Sequence, residues 1–204
     1  MKNNHLENCK QIIKKNKIEF IDLKAIDLTG RLHHITLPVY DKILEKLMSE
    51  GVGFDGSSYG FRKVENSDMI MIPDLATAKI DPFREAPTLS FYSHIVLTDE
   101  KRSPFTQDGR YLAKKAEELL KKTTGADKSL WGPEFEFYIF SKVEYDTRTA
   151  SSYYRVEHAE EFYKKAYHAA NPFDEYDDFR DEACKLLKAQ GINVKYHHHE
   201  VGER

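Results

Sequence analysis

The sequence predicts an α+β fold: a small mixed domain of strands carrying one or two helices, then a second region of helices and strands. Three observations lead there. Strand-like apolar runs, separated by turn residues, crowd the first hundred residues. Helical patterns with capping residues recur along the chain. The stretch Lys101 to Gln107 between the two regions reads as a linker.

Each element has a local reason. Leu6, Cys9, Ile12 and Ile13 fall on one face of a helix over Leu6 to Lys14. Ile18 to Asp27 reads as a strand that ends in the turn signal Asp27-Leu28-Thr29-Gly30. Arg31 to Leu37 returns as a second strand, so the two form a hairpin. Pro38 closes it. Asp41 is placed to cap a helix through Ser49, and Gly51 stands where a helix C-terminus favours positive φ. Gly53 to Gly60 reads as a loop rich in Gly, Ser and Asp. Strand segments follow at Asp68 to Ile72, Thr77 to Ile80 and Leu89 to Leu97, and the first region ends near Arg102. In the second region Asp108 caps a helix whose apolar face is Leu112, Ala116, Leu119 and Leu120, and Gly125 ends it. Trp131 to Phe140 reads as a strand, and Glu144 to Pro172, polar and tyrosine-rich, as mostly loop. Asp174 to Gln190 reads as a helix with acids early and lysines late, which complements its dipole. Gly191 stops it, and Ile192 to Val201 reads as a last strand.

Bulk properties narrow the function classes. The chain has 204 residues, a net charge of −3 and two cysteines, Cys9 and Cys184, whose separation matches no metal-ligand spacing. Two such cysteines suit a reducing, cytoplasmic setting better than a disulfide framework. Basic residues are interspersed with acidic ones, which argues against a dedicated nucleic-acid binder. No apolar run is long enough to span a bilayer, and the lysine-rich start lacks the apolar core of a signal peptide.

Three segments could carry chemistry. In Gly132-Pro133-Glu134-Phe135-Glu136-Phe137, strand alternation would put Glu134 and Glu136 on one face. Paired carboxylates repel unless a cation offsets them, and hard divalent cations take oxygen ligands. A solvated strand face is the commoner source of the same spacing. In His197-His198-His199-Glu200-Val201, His198 and Glu200 would share a face with Tyr196. Imidazole with a nearby carboxylate suits a metal, although the spacing fits no zinc-finger or zinc-protease motif. A polar strand edge is the alternative. Gly53 to Gly60 offers backbone amides and small hydroxyls, but lacks the lysine of a phosphate-binding P-loop and the dinucleotide fingerprint. An ordinary turn-rich loop has the same composition.

Taken together and in order, these segments resemble type I glutamine synthetase. The resemblance rests on Phe54-Asp55-Gly56-Ser57-Ser58, Ser67-Asp68-Met69, Pro73-Asp74, Asp81-Pro82-Phe83, Gly132 to Phe137, and His198-His199-Glu200-Val201, and runs from about Ile18 to the last residue. It implies an N-terminal helix at 1–15, a β-grasp domain at 16–103, and at 104–204 the start of a catalytic domain built on a curved antiparallel sheet with flanking helices. It implies two Mg²⁺ or Mn²⁺ ions. Glu136 and Glu200 match ligands of one ion. Glu134 matches a ligand of the other, beside the nucleotide phosphates. His198 matches a cofactor-binding position. Asp55 and Ser58 match a catalytic loop that a neighbouring subunit supplies within a homo-oligomeric ring.

The implied reaction joins ammonium to L-glutamate at the expense of ATP, through γ-glutamyl phosphate, with Asp55 binding ammonium and accepting its proton. No nucleic acid or membrane partner is implied. The family's remaining ligands are expected beyond Arg204, so residues 1–204 alone are expected to be inactive. Two alternatives stay open: a non-catalytic truncated subunit that binds or regulates intact enzyme, and a related γ-glutamyl-amine ligase. The loop after Ser58 is one residue shorter than the family pattern. Phe61 stands where an aromatic, often Trp, lies near the nucleotide, and Lys195 where many members carry a carboxylate.

Overall fold

A computed structural model describes residues 2–158 and 166–201. The chain falls into two compact units, Met1–Leu130 and Trp131–Arg204.

In the first unit, helix α1 (Lys2–Lys15) precedes strands β1 (Phe20–Ile26) and β2 (Leu32–Pro38). The predicted hairpin forms, antiparallel from Phe20↔Pro38 to Ile26↔Leu32. Helix α2 (Ile43–Ser49) leads into β3 (Val52–Asp55), β4 (Asp68–Pro73), the two-residue β5 (Lys79–Ile80) and the long β6 (Thr88–Leu97). The sheet order is β2-β1-β6-β4-β3, with β5 also on β6. β1 and β6 run parallel, and the other pairs are antiparallel. A parallel pair needs a crossover, and here everything from β2 to β5 lies between the two strands.

The core lies on one face of this sheet. Ile21, Leu23, Met69, Met71, Leu89, Phe91 and Ile95 are buried with Leu44 and Leu47 of α2 and Cys9 of α1. Leu6, Ile12 and Ile13 pack against the cluster, so the predicted helical face is the one that docks. Burial pushes the Cys9 thiol up to about 11, so it behaves as an apolar side chain.

Two local expectations need correction. Asp41 does not cap α2: Lys42, at φ 58, occupies the cap position and no side chain bonds there. Its left-handed turn starts the helix after Asp41. The first half of the Gly53–Gly60 loop is strand, since Val52 to Asp55 pair with Met71 to Asp68.

Helix α3 (Gly109–Thr124) starts at the predicted cap, with Arg110 N–H donating to Asp108 at 3.2 Å, and ends at Gly125 with φ 71. Asp108 is buried, and Phe105 before it enters the core. The apolar face of α3 is not buried: Leu112 and Leu119 are both more than half exposed. An ion pair from Arg110 to Asp74 at 2.7 Å and the Arg110–Tyr92 contact hold its first turn. Asp108→Ala is expected to lose about 1–2 kcal/mol of stability, read as a lower urea midpoint. A loss below about 0.3 kcal/mol would show that the cap contributes nothing.

The second unit departs further from expectation. Strands β7 (Phe140–Thr147) and β8 (Ser152–His158) form an antiparallel hairpin where a loop was expected. Val143 and Tyr145 on one strand and Tyr154 and Val156 on the other are β-formers whose signal polar neighbours diluted. Residues 159–165 of that expected loop lie outside the described residues. Helix α4 (Asp177–Ala189) forms as predicted, and Gly191 follows it at φ 80. Residues 131–139 and 192–201 are not strands. A strand exists only when a second segment accepts and donates its ladder bonds. Among the described residues neither segment is paired in a ladder. Among the described residues, no helix is long and apolar enough to cross a membrane.

Candidate functional site

The best-formed constellation is the turn that follows β3. Asp55 ends the strand and accepts three kinds of donor. Ser57 N–H reaches Oδ1 at 2.9 Å, Ser57 Oγ reaches Oδ1 at 2.7 Å and Oδ2 at 2.9 Å, and Ser58 Oγ reaches Oδ2 at 2.7 Å. These bonds, those from Ser58 first, together with the Ser67 hydroxyl, hold the Asp55 carboxyl well below the usual carboxylate range. It is a fixed anion on an exposed turn.

The turn is anchored at its base. Gly56 N–H donates to Ser67 O at 2.8 Å, and Phe61 N–H to Gly56 O at 2.9 Å. A Cβ on Gly56 would sit 2.4 Å from Met69 Sδ and 2.9 Å from Ser67 O, so glycine is needed for the close approach. Gly60, at φ 72, turns the chain back. Phe61 then enters the core beside Phe54 and Phe105. It is 6% exposed, which makes it the anchor of the turn.

In the second unit, Glu134 and Glu136 lie exposed on the unladdered segment. The structure does bring His198 and Glu200 together: Nε2 and Oε1 are 3.5 Å apart. His198 also meets His168 and Tyr167 edge-on, at 4.3 and 5.2 Å between ring centroids. His168 N–H donates to His199 O at 3.0 Å, which ties the histidine tract to the chain before α4. Among the described residues no three His, Cys, Asp or Glu side chains are gathered to hold a metal.

Sequence reasoning missed one arrangement here. Asp174 is buried and paired to Arg180, whose Nε donates to His197 Nδ1 at 3.3 Å. His197 Nε2 therefore carries the proton and donates to Asp181 at 2.9 Å. Asp174 and Arg180 are six positions apart, the first just before α4 and the second in its first turn, so the pairing was local enough to suspect. His197 could be placed only by tertiary structure.

The family description "Glutamine synthetase, beta-Grasp domain" matches residues 17–98, and "Glutamine synthetase, catalytic domain" matches residues 106–204. A glutamine synthetase of Frankia alni is 37% identical over 96% of this chain and 45% of its own length. One of Methylococcus capsulatus is 36% identical over 94% of this chain and 44% of its own length. The chain thus spans a little under half the length of these relatives. The fold of a Plasmodium falciparum glutamine synthetase superposes with a TM-score of 0.79 at 24% identity, over 97% of this chain and 42% of that one. Both family descriptions match in chain order and together take in nearly all of the sequence, so the chain belongs to the glutamine synthetase family.

Proposed function

We propose that this chain is the N-terminal segment of an ATP-dependent ligase that joins ammonium to L-glutamate, with Asp55 as the ammonium-binding anion. The observation that carries this reading is the Asp55 turn, which gathers Ser57 and Ser58 hydroxyls on one exposed carboxylate. Such a group attracts a small cation that can replace the hydroxyl donors. Hydrogen bonds that lower a carboxyl pKa also make it a weaker base. Ammonium is a far weaker acid than a carboxylic acid, so the turn is built to hold ammonium by charge. Ammonium nitrogen has no lone pair, so it attacks only after Asp55 has taken a proton; that uphill transfer is drawn forward because the ammonia formed attacks the γ-glutamyl phosphate carbonyl and phosphate leaves. Ser58 shares the task by fixing Oδ2.

In the same reading, residues 1–15 are an N-terminal helix, 16–103 the β-grasp domain and 104–204 the opening of the catalytic domain. Glu134, Glu136 and Glu200 would be carboxylate ligands of Mg²⁺ or Mn²⁺, and His198 would line the cofactor site. The oxygen chemistry of the three carboxylates suits such ions. Among the described residues no set of three is gathered. Bound cations would neutralise the phosphates of ATP. The enzyme would work in the cytoplasm as a ring, with the exposed Asp55 turn offered to a neighbouring subunit.

Glutamine formation from ATP, L-glutamate and ammonium tests the reading. The 204-residue polypeptide alone is expected to give none. In a gene product that carries this segment with a whole catalytic domain, Asp55→Asn should cut turnover about 10²- to 10⁴-fold. Turnover within threefold of the parent would remove Asp55 from the mechanism.

A further inference from the structure

The Asp55 turn is held on a second side, by residues outside every motif that carries the family resemblance. His33 lies on β2, opposite Ala25 of β1. Its imidazole stacks on Tyr59, with ring centroids 4.1 Å apart and planes at 24°. Tyr59 sits within the turn, and its other neighbours are Phe54 at 4.9 Å and Phe61 at 5.8 Å. Tyr59 is thus sandwiched between the β1–β2 hairpin and the core aromatics.

His33 is itself oriented. Its Nε2 meets Asp27 Oδ2 at 2.9 Å. The other Asp27 oxygen accepts from Thr29 N–H at 2.8 Å, Thr29 Oγ at 2.7 Å and Arg31 N–H at 3.0 Å. Asp27 is therefore pinned by the hairpin turn, and the imidazole has little freedom to leave Tyr59. A ring stacked in this way stabilises its partner's position beyond the area it covers.

We propose that His33, oriented by Asp27, is a positioning residue for the Asp55 turn and acts through Tyr59. The stack holds residues 56–61 in the conformation that places the Ser57 and Ser58 hydroxyls on Asp55. The hairpin turn at Asp27 and the site turn at Asp55 are thereby mechanically linked, although 28 residues separate them in sequence. The proposal rests on Asp55 being the functional side chain.

Amide hydrogen exchange on the 204-residue chain tests the link. The reporters are Gly60 N–H and Phe61 N–H, which bond to Ser57 O and Gly56 O across the turn. In His33→Ala they should exchange about five- to tenfold faster, while the β1–β2 ladder amides keep the parent rate. His33→Phe retains a stacking ring and should restore the turn to within about twofold of the parent. Tyr59→Ala should reproduce the His33→Ala effect. The proposal is overturned if His33→Ala leaves the turn at the parent rate, if turn and ladder amides speed up together, or if His33→Phe fails to restore. Exchange does not depend on what Asp55 does. The link can therefore fail while Asp55→Asn still abolishes turnover, and the Asp55 reading can fail while the link stands.

Discussion

Phe91→Ala should destabilise the first unit by about 3–5 kcal/mol. Phe91 lies in the half of β6 that β1 flanks on one side and β5 on the other, and it stands opposite Leu23 of β1. It is 1% exposed, among Leu23, Met71, Leu89 and Ile95. Truncation removes most of a ring's worth of buried surface. The strands around it are tied by ladder bonds and cannot close the space, so the cavity cost adds to the transfer cost. Natural domains hold only about 5–15 kcal/mol in total, so the loss should take much of the margin. Urea unfolding followed by far-UV circular dichroism would show it as a lower midpoint with an unchanged slope. A loss under about 1 kcal/mol would mean that this part of β6 is not the centre of the core.

Gly51→Ala is expected to cost about 2–4 kcal/mol, from two causes that add. Gly51 has φ 71, and its N–H donates to Leu47 O at 3.0 Å to close the end of α2. A side chain there meets the left-handed penalty. Its Cβ would also lie 2.4 Å from Ile70 Cγ2 and 2.7 Å from the Met71 carbonyl oxygen. Ile70 can rotate, but the Met71 carbonyl belongs to a sheet strand and cannot yield without moving β4. Gly30→Ala provides the control. Gly30 has φ 86 and nothing within 4 Å of its would-be Cβ, so only the backbone penalty of about 1–2 kcal/mol applies. Equal losses at the two sites, measured by thermal unfolding, would show that the contact with β4 is relieved at no cost.

Both predictions concern glycines and apolar residues whose roles differ in how far the sequence disclosed them. Gly51 was legible as a helix terminator because the signal is local: an amphipathic stretch, then a residue able to take positive φ. That β4 presses on it was not legible, because the pressing residues lie about twenty positions later. Asp55 follows the same division. Its Asx-type turn with Ser57 and Ser58 is written in adjacent residues. The Gly56–Ser67 bond and the Tyr59–His33 stack come from elsewhere in the chain.

The sequence by itself determined the helices, with α1, α3 and α4 marked by periodicity, cap or terminal glycine, and the β1–β2 hairpin with its turn at Asp27 to Gly30. It also determined family membership, through motifs in a fixed order. Tertiary structure alone decided which strand-like segments become strands. Residues 131–139 and 192–201 carry strand patterns but are not strands, whereas the polar, tyrosine-rich stretch read as loop contributes to the β7–β8 hairpin. It also decided which of the sequence-predicted carboxylates of the second unit meets a partner, since Glu200 lies beside His198 while Glu134 and Glu136 stand exposed. The physical reason is the range of the bonds. Helix and turn hydrogen bonds close over three or four residues, so their partners are adjacent in sequence. A strand's partner can lie anywhere, and alternation specifies only which face would be buried once that partner is present.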